Sequence, residues 1–294
     1  MTRVAFIGLG NMGSGMAANQ VKAGREVVAF DLSADAMARA KEQGMSPAAS
    51  AGAACKDADI VITMLPAGQH VREIYMDAIL PNAPRDALLI DCSTIDVDSA
   101  RTVSRDASMQ GFRACDAPVS GGTAAASGGT LTFMVGCREQ DFKEFEEALK
   151  PMAKAIIHAG DSGAGQAAKI CNNMLLGISM IGVCEAFVLA ERLGLDGQKF
   201  FDIASKASGQ CWSLTSYCPW PGPVPAAPSN RDYEGGFAAA MMLKDLKLAR
   251  EAAEMSGADT PLGGAAEALY NELVGRAGGG KDFSVMIELL RGRL

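Results

Sequence analysis

An apolar run starting at Arg3 passes without a break into Ile7-Gly8-Leu9-Gly10-Asn11-Met12-Gly13, a G-x-G-x-x-G turn. A helical pattern, a second apolar run and Asp31 follow it. The spacing predicts strand at residues 4–7, helix at 12–22 and strand at 27–30, the βαβ frame that gives such a turn its meaning. In that frame the first glycine permits the tight turn and the second lets backbone come close to a pyrophosphate. The third allows helix and strand to pack closely, and the phosphates meet the helix N-terminus. The turn at Gly8, Gly10 and Gly13 is therefore expected to bind a dinucleotide. Asp31 bears on which one. A carboxylate at the end of the second strand accepts hydrogen bonds from ribose hydroxyls and repels a 2′-phosphate, and neither Leu32 nor Ser33 offers a cation. NAD is expected rather than NADP. Arg39, in the next helix, is the cation that would reverse this, and capping of that helix is the simpler alternative role for Asp31.

Further apolar runs at residues 60–64, 88–91 and 112–115 alternate with helix-like segments, which predicts a parallel, doubly wound sheet with crossover helices. Runs at 131–135 and 155–158 flank an amphipathic segment at 140–152 and extend the sheet to about residue 160. Asp161-Ser-Gly163-Ala-Gly165 breaks the pattern, and the period beyond it is helical at 166–193, 197–207, 238–255, 261–275 and 283–291. The expected architecture is α/β: a Rossmann-type domain, 1–162, followed by an all-helical domain, 163–294, entered through a long interdomain helix. Residues 218–228 place five prolines and a glycine in eleven residues, which excludes helix and central strand alike. This loop either covers the site or connects helices at the surface. Open α/β sheets bind ligands at the strands' C-terminal ends, so a substrate pocket is expected between the sheet edge and the helical domain.

Composition narrows the function classes. With 294 residues, 49% of them hydrophobic, the chain can bury a sizeable core. A net charge of −7 disfavours nucleic acid and anionic membrane as partners, leaving small molecules and copies of the same chain. The eight cysteines form no C-x-x-C pair and lie in apolar runs, as reduced core residues of a cytoplasmic protein do. With two histidines and no ligand-like spacing of carboxylates, no metal site is expected. The start of the chain lacks the pattern of a signal peptide. The apolar stretch 170–190 approaches membrane-span length but carries Asn172, Asn173 and Glu185, which fits a buried helix better. Its apolar character around the circumference points to a homodimer or homotetramer.

Three segments carry candidate chemistry. In Asp116-Ala-Pro-Val-Ser120-Gly121-Gly122, a serine hydroxyl and two glycine N–H groups are suited to a carboxylate, although a plain Gly-Gly turn has the same composition. In the helix that follows Gly163, Lys169, Asn172 and Asn173 share one face, which is apolar further on at Leu176, Met180 and Val183. Two asparagines and a lysine on a buried face need partners; a lysine snorkelling to solvent would leave the asparagines unexplained. The third segment, Lys244-Asp245, has a stronger mundane reading, because Lys247 and Glu251 form an i,i+4 pattern that Lys244 extends.

Taken together, Phe6-Ile-Gly-Leu-Gly-Asn-Met-Gly13, Asp116-Ala-Pro-Val-Ser-Gly-Gly122, Gly163-Ala-Gly-Gln-Ala-Ala-Lys-Ile-Cys-Asn-Asn173 and Lys244-Asp-Leu246 resemble the β-hydroxyacid dehydrogenases over essentially the whole chain. Residues 172–182, Gly209-Gln-Cys-Trp212 and Gly235-Gly-Phe237 resemble their 3-hydroxyisobutyrate branch. The resemblance implies that Lys169 is the catalytic acid/base, that Asn173 helps hold the substrate, and that Ser120, Gly121 and Gly122 bind its carboxylate. It also implies that Gly8, Gly10, Asn11, Met12, Gly13, Asp31, Leu65, Pro66, His70 and Thr94 lie along NAD, with Lys244 reaching the cofactor from the helical domain. Asn172, Trp212 and Phe237 would border the substrate, although Trp212 and Phe237 serve equally well as core.

The implied reaction is oxidation of 3-hydroxyisobutyrate to methylmalonate semialdehyde, a step of valine degradation. Lys169 would accept the hydroxyl proton while hydride leaves the carbinol carbon. A free lysine titrates near about 10.4, and burial beside a cation lowers that value in the direction a base needs. The alternatives are oxidation of L-serine or methylserine, 4-hydroxybutyrate oxidation, tartronate semialdehyde reduction, and a dinucleotide-binding module without catalysis.

Overall fold

Strand β1 (Arg3–Ile7) shows how the first part of the chain is built: Val4 and Phe6 enter one buried cluster, and Ala5 and Ile7 enter another on the opposite face. The computed structural model describes residues 1–294, which divide into two compact units, Met1–Lys169 and Ile170–Leu294.

In the first unit β1 is followed by α1 (Gly13–Lys22), β2 (Glu26–Phe30), α2 (Ala34–Glu42), β3 (Ser46–Pro47), α3 (Ala51–Cys55), β4 (Ile60–Thr63) and α4 (Gly68–Ile74). After α4 a π-helical turn, Tyr75–Ile79, leads to α5 (Leu80–Asn82), β5 (Leu88–Asp91), α6 (Val97–Met109) and β6 (Arg113–Asp116). The unit continues through β7 (Val119–Ser120), α7 (Gly122–Gly128), β8 (Leu131–Gly136), α8 (Phe142–Leu149) and β9 (Ala153–Gly160). The strands form one sheet in the order β3-β2-β1-β4-β5-β6-β8-β7, with β9 paired to β8. Strands β1 to β6 are mutually parallel, and β1, β4 and β5 are buried on both faces, so these three read as nearly continuous apolar runs.

The expected Rossmann-type sheet is present, with one correction to its direction. Strand β8 runs antiparallel to β6 and β7 and parallel to β9, so the sheet is mixed rather than parallel. The reason lies in the connection. Strand β8 follows β7 after residues 121–130, fewer than the roughly a dozen or more that a parallel crossover takes, and α7 within them stops at Gly129 in the left-handed conformation. The two-residue strands β3 and β7 are too short to show a period. The amphipathic segment 140–152 resolves into α8 between two short 3-10 turns.

Helix α9 (Ala164–Arg192) begins at the end of the first unit and runs on into the second. The second unit continues with α10 (Gly197–Ala204), α11 (Trp212–Thr215), α12 (Ala239–Ser256), α13 (Pro261–Ala277) and α14 (Met286–Leu290). These helices surround a core of Met180, Cys184, Phe187, Met242, Tyr270 and Phe283. The expected terminal helix is split: Phe283–Val285 is 3-10, and only then does α14 begin. By length and composition α9 could cross a membrane, yet 44% of its most apolar window is buried inside the protein. It is not buried all round, because Cys171, Leu175, Gly182, Glu185 and Leu189 are exposed on one side.

The proline-rich stretch 218–228 is irregular, as its composition requires, and it is fastened to the helical unit. Trp220 stacks on Phe187 at 5.5 Å, and the Arg291 guanidinium lies 4.3 Å over the Trp220 ring. Ser229 Oγ donates to Cys218 O at 2.7 Å, and the Tyr233 hydroxyl donates to Pro219 O at 3.0 Å. All eight cysteines are free, and six are buried as expected. Cys171 is exposed and Cys211 half-buried, because Cys171 falls on the outward side of α9.

Candidate active site

The glycine turn leaves β1 with Gly8 at φ 96°, its N–H bonded to Phe30 O at 2.9 Å. A Cβ at Gly8 would stand 2.3 Å from Met64 O, and one at Gly13 would stand 1.9 Å from Gly8 O. Both are glycines by steric necessity. Gly10 differs: nothing lies within 4 Å of its missing Cβ, so its exposed backbone faces open space. Behind it α1 starts with neither a side-chain cap nor an acidic residue in its first turn. Its orphan N–H groups and positive dipole end therefore remain available to an anion. Asn11 is exposed and Met12 half-buried in this turn.

Asp31 follows β2 directly. Its Oδ2 accepts the Leu9 N–H at 2.6 Å and its Oδ1 the Ser33 N–H at 2.7 Å, which fixes the carboxylate against the glycine turn. Capping of α2 falls to Ser33, whose Oγ accepts from Ala36 N–H, so the capping alternative for Asp31 does not apply. Arg39 is exposed further along α2. The charge and the open glycine backbone suit an adenosine ribose and a pyrophosphate.

Leu65 and Thr94 follow the neighbouring strands β4 and β5. Leu65 Cδ2 lies 3.1 Å from the position of a Gly8 Cβ, and Leu65 N–H donates to Ser93 Oγ at 2.8 Å. The structure thus brings Gly8, Leu65 and the Ser93–Thr94 loop together at the C-terminal ends of parallel strands. Pro66 is exposed beside them, and His70 is exposed on α4.

Asp116, at the end of β6, is 2% exposed and serves the next motif. Its Oδ1 accepts the Gly163 N–H at 2.7 Å and its Oδ2 the Gln166 N–H at 2.8 Å, satisfying two donors at the start of α9. Burial pushes its carboxyl up to about 6 against the pull of these two N–H donors. A Cβ at Gly165 would sit 2.3 Å from Met134 O, so the helix start presses directly on β8. Lys169, 7% exposed, follows on the same helix. Ser120 is half-buried at the end of β7, and Gly121 (φ 137°) and Gly122 (φ 71°) turn the chain into α7, with open space at the missing Cβ of Gly122. Both glycines have positive φ, a conformation that L side chains rarely adopt.

In the second unit Asn173 is 2% exposed and donates through Nδ2 to Asp245 Oδ2 at 2.5 Å. Lys244 Nζ lies 3.7 Å from Asp245 Oδ1. Lys244 therefore belongs with Asp245 and Asn173, and the ion pairs on the solvent side of α12 come from Arg250 with Glu254 and Glu267. Asn172 departs from expectation: it is exposed, because it lies about 100° around the helix from Asn173. Its Nδ2 still donates to Asn173 Oδ1 at 2.9 Å. Trp212 is half-exposed and stacks on Tyr217 at 4.8 Å, while Phe237 packs edge-on to Phe283 at 5.7 Å. Asp282 holds this aromatic cluster. It accepts the Tyr217 hydroxyl at 2.7 Å and the N–H groups of Phe237 and Ser284 at 2.8 and 2.9 Å, and burial raises its carboxyl pKa.

Gln166 and Asp282 were given no role from the sequence, and Asp116 and Asp245 stood in candidate segments without a role of their own. The available signal was weak but physical: Gln166 and Asp245 are polar residues on helix sides that are otherwise apolar, and such groups need partners.

The chain is similar to known proteins over its whole length. A family model described as the NAD binding domain of 6-phosphogluconate dehydrogenase matches residues 3–160. One described as the NAD-binding of NADP-dependent 3-hydroxyisobutyrate dehydrogenase matches residues 163–290. The 3-hydroxyisobutyrate dehydrogenase of Pseudomonas aeruginosa is 47% identical over 298 residues, covering 100% of both chains. The chain belongs to the 3-hydroxyisobutyrate dehydrogenase family. The chain is also 45% identical over 291 residues to the NAD-dependent L-serine dehydrogenase of Pseudomonas aeruginosa, with 98% of each chain covered. A solved 3-hydroxyisobutyrate dehydrogenase from Mycobacterium tuberculosis, described with L-serine, superposes with a TM-score of 0.95 at 47% identity over 99% of each chain. Like the family, this chain is an oxidoreductase with a pyridine-nucleotide-binding Rossmann domain and a helical C-terminal region.

Proposed function

We propose that this chain is an NAD-dependent dehydrogenase that oxidises 3-hydroxyisobutyrate to methylmalonate semialdehyde, with Lys169 as acid/base. The observation that carries the reading is a lysine 7% exposed, one helical turn before an asparagine 2% exposed, on a helix whose first turn is anchored by Asp116. Lys169 and Asn173 are four residues apart and so share one side of this helix, and Asn173 is held in place by Asp245.

Bound pyridine nucleotide supplies the hydride acceptor; the chain's own groups do the rest. Ser120 and the N–H groups of Gly121 and Gly122 hold the substrate carboxylate. Lys169 Nζ, unprotonated, takes the hydroxyl proton as the carbinol C–H bond breaks and the carbonyl forms. Asn173, fixed by Asp245, orients the hydroxyl, which shortens the search for a reactive geometry. In the reverse direction Lys169 returns the proton. For the cofactor, Asp31 beside the glycine turn supports NAD over its 2′-phosphorylated form, since the bound phosphate would face a carboxylate.

Oxidation of L-serine is the second reading, favoured by the L-serine dehydrogenase relative and by the solved relative described with L-serine. Both substrates offer a carboxylate and a primary alcohol at the same spacing. Initial rates with NAD and NADP against 3-hydroxyisobutyrate, L-serine, methylserine and 4-hydroxybutyrate separate the readings. The expected ranking places 3-hydroxyisobutyrate with NAD first by kcat/KM; a higher value for L-serine or for NADP replaces the corresponding part of the assignment. Lys169→Ala is expected to lower kcat by about 100-fold or more, the general-base contribution, while NAD still quenches protein fluorescence. Parental turnover in that variant sinks the role.

A further inference from the structure

Gln166 is completely buried in the first turn of α9, and nothing in the proton transfer uses it. Its amide makes a two-point clamp. Nε2 donates to Ser93 O at 2.7 Å and Oε1 accepts the Ile95 N–H at 3.1 Å, so the two bonds bracket Thr94. A side-chain amide presents donor and acceptor side by side, as a neighbouring strand would. The same loop is tied from its other side: Ser93 Oγ accepts the Leu65 N–H at 2.8 Å and donates to Asp91 Oδ1 at 2.6 Å. On the helix, Gln166 precedes Lys169 by three residues and shares its buried side.

We infer that Gln166 is a positioning residue: it locks the Ser93–Ile95 loop to the helical turn that carries Lys169, and so sets the register between the cofactor-side loop and the proton acceptor. The inference rests on the assignment of Lys169 as acid/base and of the Leu65–Thr94 edge to the cofactor. Breaking the clamp leaves both groups present and lets the distance between them vary, and a misplacement of 1 Å costs about 100-fold in rate.

The test uses full-length Q166M, which keeps the volume and removes both hydrogen bonds. In the ligand-free protein, amide exchange followed by mass spectrometry is expected to accelerate in peptides covering residues 93–95 and to stay unchanged at the glycine turn. With 3-hydroxyisobutyrate and NAD, kcat is expected to fall by about 10- to 100-fold while KM for NAD stays within about threefold and the pH profile keeps its shape. Turnover within about twofold of the parent overturns the inference, as does exchange at 93–95 that does not change. Should Q166M fail to fold, Q166N decides, because its amide is one methylene too short to reach both Ser93 and Ile95. Slowed turnover at a parental melting temperature supports the clamp, and parental turnover overturns it. If both variants unfold, Gln166 is a determinant of the fold and the positioning role is overturned. A parent that oxidises no β-hydroxy acid overturns the functional reading together with this inference, whereas an active parent with equally active variants overturns the inference alone.

Discussion

Asp116 combines a low-dielectric setting with two backbone donors, and burial wins: the carboxyl titrates near about 6 rather than at the usual 3.8. The sign for stability follows. The folded protein holds this proton more tightly than the unfolded chain does, so the stabilisation is complete below about pH 4 and is lost as the pH rises through about 6, by on the order of 3 kcal/mol. Asp116→Asn removes that titration. The margin by which the parent's melting temperature exceeds the variant's is expected to narrow between pH 4 and pH 7; a margin that widens with pH contradicts the assignment. Residues of this kind were hard to read in the sequence. Gly8, Gly10 and Gly13 were legible because a turn of fixed spacing between two apolar runs has few structural solutions. Lys169 and Asn173 were legible as polar residues on an apolar helix side. Asp116 was not, because its partners, Gly163 and Gln166, are backbone groups 47 and 50 positions away and leave no pattern.

At the scale of elements, the strands and long helices followed from periodicity, and the errors lie where period gives no information. The direction of β8 depends on the length of its connection, and the two-residue β3 and β7 are defined by pairing alone. The segment between α10 and α12 is the clearest case: short α11, the proline stretch and the Gly235-Gly236 turn have little regular structure, and Asp282 organises one end of it. Its carboxylate takes the Tyr217 hydroxyl, two backbone N–H groups and the Ser284 hydroxyl, and a Cβ at Gly236 would stand 2.2 Å from its Oδ2. In the sequence this aspartate is one acid beside a lysine. Asp282→Ala leaves several buried donors unpaired and is expected to cost on the order of 3 kcal/mol, read as a lower urea midpoint, whereas Tyr217→Phe removes one bond and costs about 1 kcal/mol. Equal midpoints for parent and Asp282→Ala would show that the cluster is held by its aromatic packing alone.

At the scale of the whole molecule, α9 has two unequal sides. Asn173, Gly177, Met180, Cys184 and Phe187 face inward, while Cys171, Leu175, Gly182, Glu185 and Leu189 are exposed along a single stripe of helical period. Leu175 and Leu189 are 64% and 60% exposed, and Leu193, just past the helix, is 76% exposed. A run of exposed leucines interrupted by one glycine and one glutamate is an apolar surface that water solvates poorly. We propose that a second copy of the chain covers it, in keeping with the homo-oligomer expected from the sequence. The same stripe explains why composition alone reads α9 as membrane-like: the apolar residues serve two different surfaces, one packed in the core and one outward. Sedimentation is expected to give a multiple of the chain mass, and Leu175→Glu with Leu189→Glu to shift it to the monomer while the far-ultraviolet circular dichroism stays parental. A parent that sediments as a monomer at every concentration, or a double variant that keeps the parental mass, removes this face from the interface.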